Sequence, residues 1–281
     1  MMKVPFYIVN AFTDKPFKGN PAGVVLQADE LDYKTMQKIA AELKFSETAF
    51  VMNSQKADYK VRFFTPKKEV DLCGHATVAT FHVLSKEGIL RKNEVKMETK
   101  AGVLDIEIKG EEVFMEQAKP IFKEIKISRE RIAEALGMDK SEIANLPIEA
   151  VSTGLFSLNI PIKSLQAMQN MKPHFDKIKE ICIEIDVGLF FPFTFETVNK
   201  DCFVHARCFA PLYGINEDPV TGTANGALGA YLAKHGLLKN KTYRAEQGCE
   251  TGREGIVSVE VNEKVKIGGK ACITVKGKIE V

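Results

Sequence analysis

The sequence predicts a mixed chain of strands and helices built as two like halves, and three observations carry that reading. The stretch at 62–90 recurs at 207–238. Arg62, Phe64 and Pro66 match Arg207, Phe209 and Pro211. After a three-residue insertion, Gly74, Ala76, Ala79, Leu84, Lys86, Gly88 and Leu90 match Gly222, Ala224, Ala227, Leu232, Lys234, Gly236 and Leu238, ten identities in 22 aligned positions. Each copy reads as a strand, a polar loop, a Gly at the mouth of a helix and a Gly placed to end it. The helix in each is rich in Ala, Gly and Thr, small residues that let it sit against sheet on all sides.

In chain order, residues 4–12 read as a strand, and 13–23 as a turn-rich segment that holds Asn20 and Pro21 before 24–26 resumes a strand. Asn20 either reverses the chain or faces a substrate. Residues 32–44 form an amphipathic helix with Met36, Ile39, Ala40 and Leu43 on one stripe. Residues 45–52 read as a buried strand with Glu47 on the face of Phe45, Ala49 and Val51, and Ser46, Thr48 and Phe50 on the other. A carboxyl there turns into a polar cleft or is desolvated, and both suit a general acid or base. A Glu paired with a Lys at a wet strand edge is the plainer alternative.

Residues 59–65 lead into the first repeat, and 94–117 make a meander in which Leu104, Ile106 and Ile108 alternate with charged residues. A crossover at 118–120 separates domains at 1–118 and 119–269, with a final strand at 270–281 able to return to the first. Helices are expected at 128–138 and 172–184, and strands at 155–162, 188–195 and 201–211. Pro192 argues for an edge position of the strand that holds it. His205 reads as structural. Strands at 243–261 and 264–281 close the chain around a Gly-rich turn.

The bulk numbers narrow the function. With 281 residues, 45% apolar and 27% charged, the chain has the composition of an ordinary globular protein. A net charge of +2 gives no footprint for nucleic acid or anionic membrane. Apolar runs fall short of the roughly 18 residues of a membrane span, and the start of the chain lacks a signal-peptide pattern. Six scattered Cys without metal-ligand spacing fit reduced thiols in a cytoplasm, and no metal is expected. No phosphate-loop or dinucleotide motif follows a strand.

The two helix mouths carry the chemistry. Each offers backbone amides and a positive dipole end to an anion such as a carboxylate. Beside the first stand Asp71, Cys73 and His75; beside the second, Glu217, Asp218, Thr221 and Thr223. His75 in a first turn is disfavoured as a cation by the dipole, and Cys73 is either an activated thiol or a small buried residue. Asp218 falls opposite Cys73 if the insertion is ignored; with it, Thr221 does.

The motifs GNPAGVV at 19–25, FSETAFV at 45–51, RFFTP and DLCGHATVA up to residue 79, and RCFAP and EDPVTGTANG up to 226 together resemble the phenazine-biosynthesis PhzF family of the diaminopimelate-epimerase-like superfamily. The resemblance spans nearly the whole chain. It implies an α+β fold of two similar domains related by a pseudo-twofold, each a curved, mostly antiparallel sheet around a central helix, with the active site between them and a homodimer as the assembly. It also implies cofactor-independent isomerisation in a biosynthetic process, with Glu47 as the catalytic acid and base supported by His75 and Asp218. Asn20, Cys73, Gly74, Ala76, Gly222 and Thr223 would bind a small carboxylate substrate. Diaminopimelate epimerases use two opposed cysteines; here only Cys73 is retained, which argues against symmetric two-thiol racemisation. An epimerase or racemase using Cys73 and Asp218, and a small-molecule-binding protein without chemistry, are the competing readings.

Overall fold

The computed structural model describes residues 2–281. Its elements run β1 (Lys3–Ala11), β2 (Asn20–Val25), α1 (Tyr33–Leu43), β3 (Thr48–Met52), β4 (Tyr59–Phe64), β5 (Glu69–Val70), α2 (Gly74–Lys86), β6 (Glu94–Thr99), β7 (Gly102–Lys109) and β8 (Glu112–Glu116). They continue as β9 (Ile121–Lys123), α3 (Arg129–Leu136), β10 (Glu149–Ser152), β11 (Phe156–Pro161), α4 (Leu165–Asn170), α5 (Phe175–Glu184), β12 (Leu189–Thr194) and β13 (Val204–Ala206). The chain ends with α6 (Gly222–Lys234), β14 (Thr242–Gln247), β15 (Gly255–Val261), β16 (Val265–Gly269) and β17 (Ala271–Glu280). Two compact units result: residues up to Glu116 with Gly268–Val281, and Gln117–Ile267.

The duplication is legible in the strand pairing. In the first unit β17 lies antiparallel to β1, β1 antiparallel to β2, β2 parallel to β3, β3 antiparallel to β4, β4 parallel to β6, and β6 antiparallel to β7. In the second, β9 with β10, β10 with β11, β11 with β12, β12 with β13, β13 with β14 and β14 with β15 repeat that order of directions step for step. Each unit is thus a mostly antiparallel sheet with two parallel joints. Helix α2 packs on β1, β2, β3, β8 and β17, strands from both ends of its ladder, which requires the sheet to curve around it. Helix α6 packs in the same way on β10, β11 and β15.

The central helices have the composition that such enclosure demands. Every residue of α2 from Gly74 to Leu84 is buried, and so is α6 from Ala224 to Leu232. Gly229 shows why side chains are trimmed: a Cβ there would lie 2.9 Å from methyl carbons of both Val259 and Val261. That contact outweighs the roughly 1 kcal/mol a mid-helix Gly costs relative to Ala. Both helices end identically. Gly88 and Gly236 take φ of 68° and 66°. The amides beyond them, Ile89 and Leu237, reach back to the carbonyls of Leu84 and Leu232, the six-to-one bond of a glycine-terminated helix.

Several local expectations change. The strand expected from Phe45 begins only at Thr48, because its first ladder pair is Gly23↔Thr48; the three residues before it have strand-like alternation but form no ladder pair. Conversely, the turn-rich residues Asn20–Gly23 are drawn into β2 by pairing with β1. Pro192 sits inside the sheet, with β11 on one side and β13 on the other. It is tolerated because pairing holds on both sides of it, at the Phe190↔Phe209 bridge and at Phe193↔Ala206, and because the Pro192 carbonyl still accepts from the Arg207 amide, so only one donor is given up. The strand expected over 201–211 shortens to three residues followed by a 3-10 turn at Pro211–Tyr213. Helix α4, capped by Ser164, was not anticipated. Among the described residues no helix is long and apolar enough to cross a membrane.

Candidate active site

In the first unit, α2 opens with no side-chain cap, and its first backbone bond runs from Thr77 to Cys73, so the amides of Gly74, His75 and Ala76 precede the helical ladder. His75, in the first turn, receives three neighbours. Glu47 Oε2 stands 3.4 Å from its Nε2, Ser46 Oγ 3.3 Å from the same nitrogen, and Cys73 Sγ 3.3 Å from Nδ1. The carboxyl comes from the coil just before β3, anchored where the Glu47 carbonyl accepts from the Gly23 amide. Residues 45–47 are not pleated, so Ser46 and Glu47 both reach the imidazole instead of facing apart as strict alternation implied. The Glu47 side chain keeps 19% of its exposure and the His75 side chain 10%, enough for a small ligand to touch either. Asn20, buried, opens the strand next to β3. Asp71 is exposed.

The second unit carries the matching mouth. Thr221 precedes α6 without capping it, and the first backbone bond runs from Asn225 to Thr221, leaving the amides of Gly222, Thr223 and Ala224 ahead of the ladder. The Thr221 hydroxyl donates instead to Asp218 Oδ2 in a short hydrogen bond. In both helices the fourth residue ties back to the residue before the helix, Thr77 Oγ1 to the Cys73 carbonyl and Asn225 Nδ2 to that of Thr221. The equivalence of Cys73 is therefore with Thr221.

Two features escaped the sequence reading. The first is a repeated ion pair. Arg62 grips Glu69 through Nε and Nη2 at 2.7 and 3.0 Å, and Arg207 grips Glu217 in the same way at 2.8 Å each, each guanidinium lying over the Phe two residues on. The spacing grows from seven residues to ten, which places the three-residue insertion before Glu217 and removes Glu217 from the candidates for proton transfer. The second is Gln247, fully buried at the end of β14. Its Oε1 accepts from the Thr221 amide at 3.1 Å and Asn225 Nδ2 at 3.0 Å, while its Nε2 donates to the Asp218 carbonyl at 2.9 Å and to Thr221 Oγ1 at 3.2 Å. Signals for both were present, as an acid after each repeated Arg and as a Gln just before a Gly-rich turn, but their partners are distant in sequence.

Among the described residues two groups bring three donor atoms within 4.8 Å of one another, Glu47 with Cys73 and His75, and His205 with Glu246 and Cys249. In the second, both ring nitrogens of His205 already face carboxylates, at 2.8 Å from Glu246 and 2.9 Å from Glu250, which suits a protonated ring and not a metal ligand. Burial alone would lower His205; hydrogen bonds with Cys249, Glu246 and Glu250 override it and raise the ring to about 11. Burial pushes the Cys182 and Cys202 thiols up to about 12, and Cys208 well above its usual range, so these three are inert.

A Bacillus subtilis (strain 168) protein named "Uncharacterized isomerase YfhB" is 41% identical over 274 residues, covering 95% of this chain and 92% of that protein. The crystal structure of a Bacillus anthracis phenazine biosynthesis protein of the PhzF family superposes with a TM-score of 0.94 at 36% identity, covering 100% of both chains. A structure described as a predicted epimerase from Pseudomonas aeruginosa, 21% identical with 99% of each chain covered, shares the fold at a TM-score of 0.81. Other curated relatives at comparable identity over nearly the full chain are likewise named isomerases, and this chain is an enzyme of that type. The description "Phenazine biosynthesis-like protein" (PhzC-PhzF) matches residues 9–277, and the chain belongs to that family.

Proposed function

We propose that the protein moves a proton within a small carboxylate substrate, with Glu47 as the group that removes it from carbon and returns it elsewhere on the same molecule. The observation that carries the reading is the Glu47–His75 contact at 3.4 Å, at the uncapped mouth of a buried helix. A carboxylate nucleates there because helix amides and the dipole favour negative charge, and a half-buried carboxyl beside an imidazole can take and return a proton without metal or redox chemistry. The proposal assigns His75 to orienting Glu47 and polarising the substrate, and Asp218 with its Thr221 partner to the same reaction. It assigns substrate contact to Asn20, Cys73, Gly74, Ala76, Gly222 and Thr223. Cofactor independence, a homodimer and a cytoplasmic location belong to the same reading; the last is supported by six cysteines that are all thiols.

A second reading, epimerisation through a thiol, is favoured by one observation: Cys73 Sγ lies 3.3 Å from His75 Nδ1, a thiol–imidazole pair. One experiment separates them. Small α-substituted carboxylates are incubated with enzyme in deuterated water, and loss of carbon-bound protons is followed by NMR. Glu47→Gln is expected to abolish exchange and Cys73→Ala to retain it; activity surviving Glu47→Gln would falsify the assignment, and loss confined to Cys73→Ala would favour the thiol.

A further inference from the structure

We propose that His205 is a positioning residue for the Asp218–Thr221 pair, acting through the end of β14 and the turn that follows it. Its bearing on catalysis rests on the assignment of Asp218 above; the positioning itself does not.

His205 lies on β13 directly opposite Glu246 of β14 and is completely buried. Its Nδ1 is 2.8 Å from Glu246 Oε1 and its Nε2 is 2.9 Å from Glu250 Oε1. Ionised carboxylates only accept, so the ring donates in both directions as an imidazolium. Glu246 is fixed in its charged form because its two oxygens also accept from the Val198 and Asn199 amides at 2.7 and 2.8 Å. Glu250 is less well served: its Oε2 is buried without a hydrogen bond among the described residues, so the imidazolium is its principal compensation. The other groups acting on this cluster are the Cys249 thiol and the Arg207 guanidinium, the latter already committed to Glu217.

The two carboxylates bracket Gln247. One sits on the residue before it, the other three residues after it, and the imidazolium holds both. The intervening turn has no slack. Gly248 takes a φ of +87°, and a Cβ on it would lie 2.6 Å from the Pro219 carbonyl oxygen and 2.5 Å from that of Arg253. The turn is thus pressed onto the backbone between Asp218 and Thr221, while Gln247 grips both residues by hydrogen bonds. Any displacement of the turn is transmitted to the carboxyl of Asp218. A second turn contact of the same chemical kind, His235 with Glu149 at 3.0 Å, lies at the far end of α6 and provides an internal control.

The test uses the full-length chain with three variants, His205→Gln, Glu250→Gln and the control His235→Gln. Two readouts are taken: amide hydrogen exchange at Thr221, and the pH titration of the Asp218 carboxyl carbon by NMR. In His205→Gln and Glu250→Gln the Thr221 amide is expected to exchange about tenfold faster while β11 is unchanged. The Asp218 titration is expected to move to higher pH, because a loosened Thr221 hydroxyl no longer favours the carboxylate. His235→Gln leaves both readouts at wild type. Should His205→Gln fail to fold, Glu250→Gln decides alone, since it keeps the His205–Glu246 pair. Loosening of the 248–253 turn with an unmoved Asp218 titration overturns the proposal and leaves His205 as core support only. Neither readout involves turnover, so this outcome is independent of the Glu47 test.

Discussion

Replacing Gln247 by Ala should be among the most damaging single changes in the second unit, although the residue touches no solvent. The substitution removes four hydrogen bonds. Neutral bonds contribute only about 1 kcal/mol each, but a buried group left without a partner costs about 1–3 kcal/mol. Asn225 is fully buried and its Oδ1 has no partner among the described residues, so losing Gln247 leaves its amide group with only the Thr221 carbonyl there. The Thr221 amide loses its acceptor outright. Two such orphans, plus the void left by the side chain, give about 3–5 kcal/mol. For a unit of this size each kcal/mol lowers the melting temperature by about 2–4 °C, so calorimetry should show a loss on the order of 10 °C. The isosteric Gln247→Glu sharpens the reasoning. Its carboxylate can still accept from Thr221 and Asn225, but it sets an oxygen where Nε2 donated to the Asp218 carbonyl and the Thr221 hydroxyl. Its defect should therefore lessen as the pH falls and the new carboxyl protonates to become a donor. A Gln247→Ala protein melting within about 2 °C of wild type, or a Gln247→Glu protein indifferent to pH, would show that the four bonds do not carry this loop.

Two further predictions concern charge. Arg207→Ala leaves the partly buried Glu217 without its paired cation and should cost about 3–5 kcal/mol, whereas Arg62→Ala should cost about 1–3 kcal/mol. The difference arises because Glu69 retains Lys100 at 3.4 Å; denaturant titration with probes in each unit measures both, and the reverse ranking would contradict it. The His205 cluster sets the pH dependence of the second unit. Because the ring is raised from 6.5 to about 11, its stabilisation is fully present below pH 6.5 and is lost as pH rises through about 11. Burial raises Glu246 and Glu250, but their bonds to His205 hold them net below the usual carboxylate range, so their stabilisation is lost in acid. Melting temperature against pH should fall at both extremes, and His205→Gln should abolish the alkaline limb.

Most of the architecture was legible because it is encoded locally. Asp32 caps α1 through the Thr35 amide and Lys44 ends it, at the residues the pattern indicated. Small residues and closing glycines announced α2 and α6, and the register of the repeats predicted two like units. The misreadings share one cause. Residues 45–47 and 20–23 have strand and turn preferences worth a few tenths of a kcal/mol, and presence or absence of a neighbouring strand overrules them. Pro192 was judged by its missing donor, but one lost donor does not exclude an interior strand when pairing holds on both sides of it.

By itself the sequence determined that the chain is a duplication and that each copy surrounds a helix of small residues, and it nominated Glu47, Cys73, His75, Asp218 and Thr223 as candidates for chemistry. Only the tertiary structure decided which of them have partners. It paired Glu47 and Ser46 with His75, gave Thr221 to Asp218, took Glu217 away to Arg207, and placed Gln247 and the His205 imidazolium behind the second helix mouth. Hydrogen bonds and charge pairs depend on separations of a few ångströms between residues tens of positions apart, a quantity that local periodicity does not contain and that packing of the whole unit sets.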